Sequence, residues 1–105
     1  MEQIIDEKKL LANIGLAKKA GKIILGAEQI CDALKNKRKS VVSILVADNA
    51  SENTKKRLLD KCAFYNCPIT FLPIDTAALG HSLGKTSLVA AIALTDENFV
   101  KLILK

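Results

Sequence analysis

A chain of 105 residues has room for one domain around one hydrophobic core and for no second domain. Half of its residues are apolar, which excludes a disordered chain, and only 4% are aromatic, with no Trp, which argues against a ring-lined platform for stacking single-stranded bases. Sixteen Lys and Arg against eleven Asp and Glu leave a net charge of +5, which favours polyanionic partners, nucleic acid first and anionic membrane second.

The first residues, Met1-Glu2-Gln3-Ile4-Ile5-Asp6-Glu7, are acidic where a secretory leader is basic, and no apolar run approaches membrane-spanning length. A cytoplasmic protein without membrane association is therefore expected. Residues 8–20 place Leu10, Leu11, Ile14 and Ala17 at helical spacing, with Gly21 as the stop. The short apolar run Ile23-Ile24-Leu25 between Lys22 and Gly26 predicts a strand, and residues 27–36 a second helix with Ile30, Cys31, Ala33 and Leu34 inward. Residues 41–46 are rich in β-branched side chains and predict a buried strand. A third helix is expected over 52–66, with Leu58, Leu59, Cys62 and Ala63 on one stripe and a capping box from Asn49 to Glu52. Residues 68–72 predict a strand whose Pro68 suits the first position. A short helix capped by Asp75 or Thr76 should stop at Gly84, residues 88–94 form the most apolar and central strand, and a last helix capped by Thr95 or Asp96 runs through Leu104. Strands alternating with helices through short joints imply a mostly parallel or mixed sheet covered on both faces, in a single domain over residues 1–105.

Three cysteines, Cys31, Cys62 and Cys67, are an odd number without a C-x-x-C pair, and His81 is the lone histidine. Buried, reduced thiols fit better than a disulfide framework or a zinc site. The run Gly80-His81-Ser82-Leu83-Gly84-Lys85-Thr86 imitates a phosphate-cradling loop. It has three residues between its glycines where four are needed, and it joins a helix to a strand rather than the reverse. His81 has Ser82 beside it but no carboxylate nearby in sequence to orient it. No acid–base or nucleophile set emerges, so neither enzymatic activity, cofactor, metal nor small-molecule substrate is expected.

The informative stretch is Lys22 to Lys39. A strand ends at Gly26 and a helix starts at once, exposing amide N–H groups and partial positive charge, while glycine permits close approach of another backbone. Glu28 and Gln29 in the first turn carry acceptors and a donor able to read base edges. An acidic first turn also simply complements the helix dipole, and the residue types alone favour that plainer account. Lys35, Lys37, Arg38 and Lys39 follow, as a solvated face or as phosphate contacts.

The order of elements resembles the kink-turn-binding ribosomal-protein family of archaeal L-seven-Ae, its L-thirty-e relatives and short bacterial homologues of the YlxQ and YbxF type. The resemblance runs from Ile14-Gly15-Leu16-Ala17-Lys18-Lys19-Ala20-Gly21-Lys22 to Leu94. It is carried by Gly26-Ala27-Glu28-Gln29, by Leu45-Val46-Ala47-Asp48-Asn49-Ala50-Ser51 and by Leu79-Gly80-His81-Ser82-Leu83-Gly84. Asn53-Thr54-Lys55-Lys56, Lys61-Cys62 and Tyr65-Asn66-Cys67-Pro68 are similar to the YlxQ type in particular. The resemblance implies a three-layer α/β/α sandwich with a four-stranded mixed sheet that binds a kinked RNA duplex with tandem sheared G·A pairs. It assigns Gly26, Glu28 and Gln29 to the G·A pairs and Lys85, Thr86 and Ser87 to the unstacked bases, which reverses the plainer account of the first turn. Two departures stand out: Asp32 occupies a position that is usually basic, and Lys85-Thr86-Ser87 replaces residues that are often apolar or acidic.

The expected function is therefore a binding module for structured RNA, ribosomal RNA included, acting as a monomer. The rival expectation is a protein-interaction module on the same fold that has lost RNA binding through Asp32.

Overall fold

The computed structural model describes residues 7–36 and 41–104, which form α1 (Glu7–Lys19), β1 (Ile23–Leu25), α2 (Ala27–Asn36), β2 (Ser43–Ala47), α3 (Glu52–Tyr65), β3 (Ile69–Leu72), α4 (Thr76–Ser82), β4 (Ala91–Leu94) and α5 (Glu97–Leu104). The strands form one mixed sheet in the order β1-β4-β2-β3. β4 pairs antiparallel with β1, Leu25 opposite Ile92, and with β2, Val46 opposite Ala91, while β2 and β3 are parallel.

Alternation along the two inner strands builds the layers. Leu45 and Ala47 of β2, with Ile92 and Leu94 of β4, face a core completed by Leu10, Ile14 and Ala17 of α1, Leu79 of α4 and Ile103 of α5. Ile44 and Val46, with Ala91 and Ala93, face the opposite side, where Ile30 and Leu34 of α2 and Leu58 and Cys62 of α3 cover them. Both faces are covered, so every residue of β2 and β4 is buried and neither strand reads as half polar. The chain is thus the expected α/β/α sandwich with a four-stranded mixed sheet. Ser43 is the one buried polar side chain among the described residues whose oxygen has no hydrogen-bond partner.

Local chemistry corrects several expectations. The cap of α3 is Ser51, whose Oγ accepts from the Thr54 amide at 3.2 Å, and not Asn49. Asn49 serves a different helix, accepting the Thr76 amide at the start of α4 at 2.8 Å. Asp75 caps α4 through the Ala78 amide, and Asp96 accepts from Asn98 at the start of α5. β4 begins at Ala91 rather than residue 88, and β2 spans 43–47 rather than 41–46. The buried stripe of α3 is narrower than expected: Leu58 and Cys62 are buried, Leu59 and Ala63 exposed.

The strand directions position the candidate site. β1, β2 and β3 run one way and β4 the other, so the C-terminal ends of the first three meet the start of the fourth. Because α2, α3 and α4 each follow one of those strands, all three helices start at this same end of the sheet.

Candidate nucleic-acid interface

Gly26 joins β1 to α2 at φ +87°, a left-handed conformation that explains the glycine. Its amide donates to the Ala91 carbonyl at 3.1 Å, and its carbonyl accepts the Ile30 amide at 3.0 Å as the first helical bond. α3 and α4 have their first turns capped by Ser51 and Asp75. Gly26 has no side chain to do the same for α2, so the first amides of that helix face an external acceptor. A Cβ placed on Gly26 would meet nothing within 4 Å, so the space beside it is open.

Glu28 and Gln29 are exposed on this first turn. The Glu28 carboxylate lies 3.7 Å from the Arg57 guanidinium of α3, with both side chains well exposed. Such a pair holds by no more than about 1 kcal/mol, so the carboxylate is free to exchange partners. Between the two helices lies a groove of about 390 Å³, lined by Glu28, Gln29, Cys31, Asp32, Lys35, Arg57 and Lys61. Asp32 accepts from the Asn36 amide group at 2.8 Å.

The loop from α4 to β4 supplies the second wall. Gly84 adopts φ +74°, its amide donates to His81, and the Lys85 amide donates to Gly80. The amides that a phosphate cradle would aim outward are thus spent on the last carbonyls of α4, which settles the near-miss motif as a helix stop. Lys85, Thr86 and Ser87 are exposed, and the foot of the loop is tied down: Val89 donates to Thr76, and the Ala90 carbonyl accepts from Ala47. Through the bond between Gly26 and Ala91, the α2 start and this loop meet at the same end of the sheet.

The basic cluster is only partly brought to that end. Lys35 sits near the far end of α2, though on the groove that begins at Glu28. Lys37, Arg38 and Lys39 lie outside the described residues. Three side chains at the site were not anticipated. Arg57 and Lys61 are spaced four apart on α3, a signal for one helical side but not for its proximity to α2. Leu88, assigned to a strand by its sequence, is instead 70% exposed directly after the loop.

The remaining reactive groups are held structurally. Ser82 donates its hydroxyl to the Leu79 carbonyl at 2.7 Å, and His81 is exposed. Burial pushes the Cys62 thiol up to about 11, with neighbouring Cys67 and Cys31 adding to the effect. Cys67, expected to be buried, is only half-buried, and burial raises its thiol as well. Among the described residues no group of three or more His, Cys, Asp or Glu could hold a metal ion, and no helix is long and apolar enough to cross a membrane.

Residues 8–104 match the Ribosomal protein L7Ae/L30e/S12e/Gadd45 family. The chain belongs to this family. Within it, the chain is similar to the RNA-binding protein YlxQ of Bacillus subtilis (strain 168), 36% identical over 86 residues and 82% of each chain. The Enterococcus faecium protein of the same name is 36% identical over 96 residues, 91% of this chain and 88% of its own. A solved structure of a Bacillus halodurans C protein with unknown function superposes with a TM-score of 0.77 at 31% identity, covering 92% of this chain and 98% of the other. The Giardia lamblia 15.5kD RNA binding protein superposes at 0.73 over 92% of this chain and 80% of its own. At 14% identity that likeness is one of fold.

Proposed function

We propose that this protein binds structured RNA and recognises the kink-turn, a sharply bent duplex with tandem G·A pairs, as a cytoplasmic, monomeric, ribosome-associated or regulatory module without catalysis. The observation that carries the reading is the bond from the Gly26 amide to the Ala91 carbonyl, which sets the uncapped start of α2 beside the exposed loop of Lys85, Thr86 and Ser87. Family membership and relatives named for RNA binding support it.

In this reading the open amides of α2 donate hydrogen bonds to a phosphate, and Gly26 admits the RNA backbone where any side chain would stand in the way. The Glu28 carboxylate accepts hydrogen bonds from base amino or imino groups, and the Gln29 amide both donates and accepts. Lys85 grips phosphate, while Leu88 offers an apolar surface to a base that has left its stack. The loop is thus less polar than its Lys85-Thr86-Ser87 segment suggests.

Titration against a kink-turn RNA and an unkinked duplex of equal length tests the reading. A preference of at least about tenfold for the kinked RNA, roughly 1.4 kcal/mol, is expected. Equal affinity for the two would reduce the protein to a generic basic one. Replacing Glu28 or Gln29 by Ala should cost roughly 1–3 kcal/mol on the kinked RNA alone, by analogy with base-reading contacts to DNA.

A further inference from the structure

We infer that the groove between α2 and α3 is a phosphate channel for the RNA strand leaving the α2 start, and that its cations come from α3, as Arg57 and Lys61. The inference rests on the RNA-binding reading above and goes beyond it by adding α3 to the site as a third wall.

The residue types along α2 create the need. Glu28 and Asp32 are one turn apart and both line the groove, so next to the reading residues this helix repels a phosphodiester. Its own cation on the groove, Lys35, stands about 10 Å further along the axis from Glu28, at 1.5 Å of rise per residue. A strand running from the helix start along α2 would meet two carboxylates before its first cation.

Packing supplies what α2 lacks. α3 lies alongside α2 and lends Arg57 and Lys61 to the same groove, so its lining carries three cations, Lys35, Arg57 and Lys61, against two carboxylates, Glu28 and Asp32. Both carboxylates are already engaged. Asp32 is tied back along its own helix by Asn36, and Glu28 faces Arg57. Arg57 has five N–H donors in a fixed fork, and one loose contact at 3.7 Å leaves donors for a phosphate. At about 390 Å³ the groove is open and many times a water's share of about 30 Å³, so a sugar-phosphate strand is not sterically barred. When RNA arrives, Glu28 turns to a base, and Arg57 exchanges its carboxylate for a phosphate.

The test uses the full-length protein carrying Arg57→Ala and Lys61→Ala together, titrated against the kink-turn RNA and the unkinked duplex across a series of salt concentrations. Each lost phosphate contact lowers the log–log salt slope by about 0.7–0.9, so the double variant should flatten the slope by about 1.5 and weaken binding about tenfold or more at low salt. A control with Lys18→Ala and Lys101→Ala removes the same charge from α1 and α5, on the other face of the sheet, and should leave the slope unchanged. Arg57→Lys with Lys61→Arg should keep it, and thermal melts of each variant report folding. An unchanged slope in the double variant, or an equal flattening in the control, overturns the channel. If the unaltered protein shows no preference for the kinked RNA yet the double variant alone flattens the slope, the channel stands and kink recognition falls. If the unaltered protein prefers the kink and the double variant keeps its slope, kink recognition stands and the channel falls.

Discussion

Gly80 lies directly beneath the carbonyl of Ser87, with no room between them for a methyl group. The α4–β4 loop therefore rests on bare helix backbone. Gly80→Ala should gain helix propensity of up to about 1 kcal/mol and lose more to the clash, since overpacking against a backbone that cannot yield costs roughly 1–3 kcal/mol. A melting temperature lowered by several degrees is expected in calorimetry, together with weaker RNA binding from a displaced loop. A variant as stable as the parent would show that the loop moves freely.

Gly26 is glycine for a different reason, because its backbone is left-handed while the space beside it is empty. Gly26→Ala should lose roughly 1–2 kcal/mol of stability from conformation alone. RNA affinity should fall further than the folded fraction accounts for, because the added methyl points where a phosphate backbone approaches. Titration at a temperature where the variant is fully folded separates the two effects, and an unchanged Kd there would remove Gly26 from the contact surface.

Asp32→Asn keeps an acceptor for Asn36 and removes a charge from the groove. A carboxylate about 8 Å from a phosphate repels it by roughly 2 kcal/mol at an effective dielectric near 20, and by less than 1 after salt screening. Binding should tighten a few-fold at low salt and converge on the parent at high salt. Identical isotherms at low salt would show that RNA does not pass this face.

Ser43→Ala removes the hydroxyl that has no partner in the buried strand β2. Deleting an unsatisfied buried polar group should raise stability by about 1 kcal/mol, about 4–8 °C in melting temperature for a domain of this size. Destabilisation would reveal a partner for that hydroxyl.

The Cys62 thiol predicts an alkaline limit. Its value in the fold, about 11, lies above the ordinary 9.0, so folding favours the protonated form. The stability it contributes is complete below pH 9 and is lost as the unfolded chain ionises first, between about pH 9 and 11, at about 1.4 kcal/mol per unit. Denaturant melts at pH 7, 9 and 10.5 should show this decline, and Cys62→Ala should flatten it. Parallel declines in the two proteins would assign the loss to other groups.

Much of this was legible from local pattern. The bounds of α2 follow from a glycine start and a strong apolar stripe, and the existence of the two inner strands from apolar runs that only Ser43 interrupts. The failures share a cause, in that each depends on what another segment does. The run from Leu88 to Leu94 is uniformly apolar, but its pairing ends with Ile92 opposite Leu25 of β1 and Ala91 opposite Val46 of β2. Leu88 is left outside the sheet. Asn49 and Ser51 both suit a helix cap, and the choice is made by the Thr76 amide, which claims Asn49 from 27 residues away. Arg57 reads as one more solvated charge until α3 is laid against α2.

The tying of the α2 start and the α4–β4 loop to the same few backbone atoms has a consequence for how the work of bending is shared. Gly26, Ala47, Thr76 and Ala91 are stitched by backbone hydrogen bonds of 2.8–3.1 Å, directly or through residues 89 and 90, so the two walls behave as a preformed template. For the proposed ligand, the reshaping then falls on the nucleic acid. Apparent affinity becomes the intrinsic affinity scaled by the fraction of RNA molecules already folded into the kink. Ionic conditions or base changes that bend the free RNA should register as tighter binding, with no change in the protein at all.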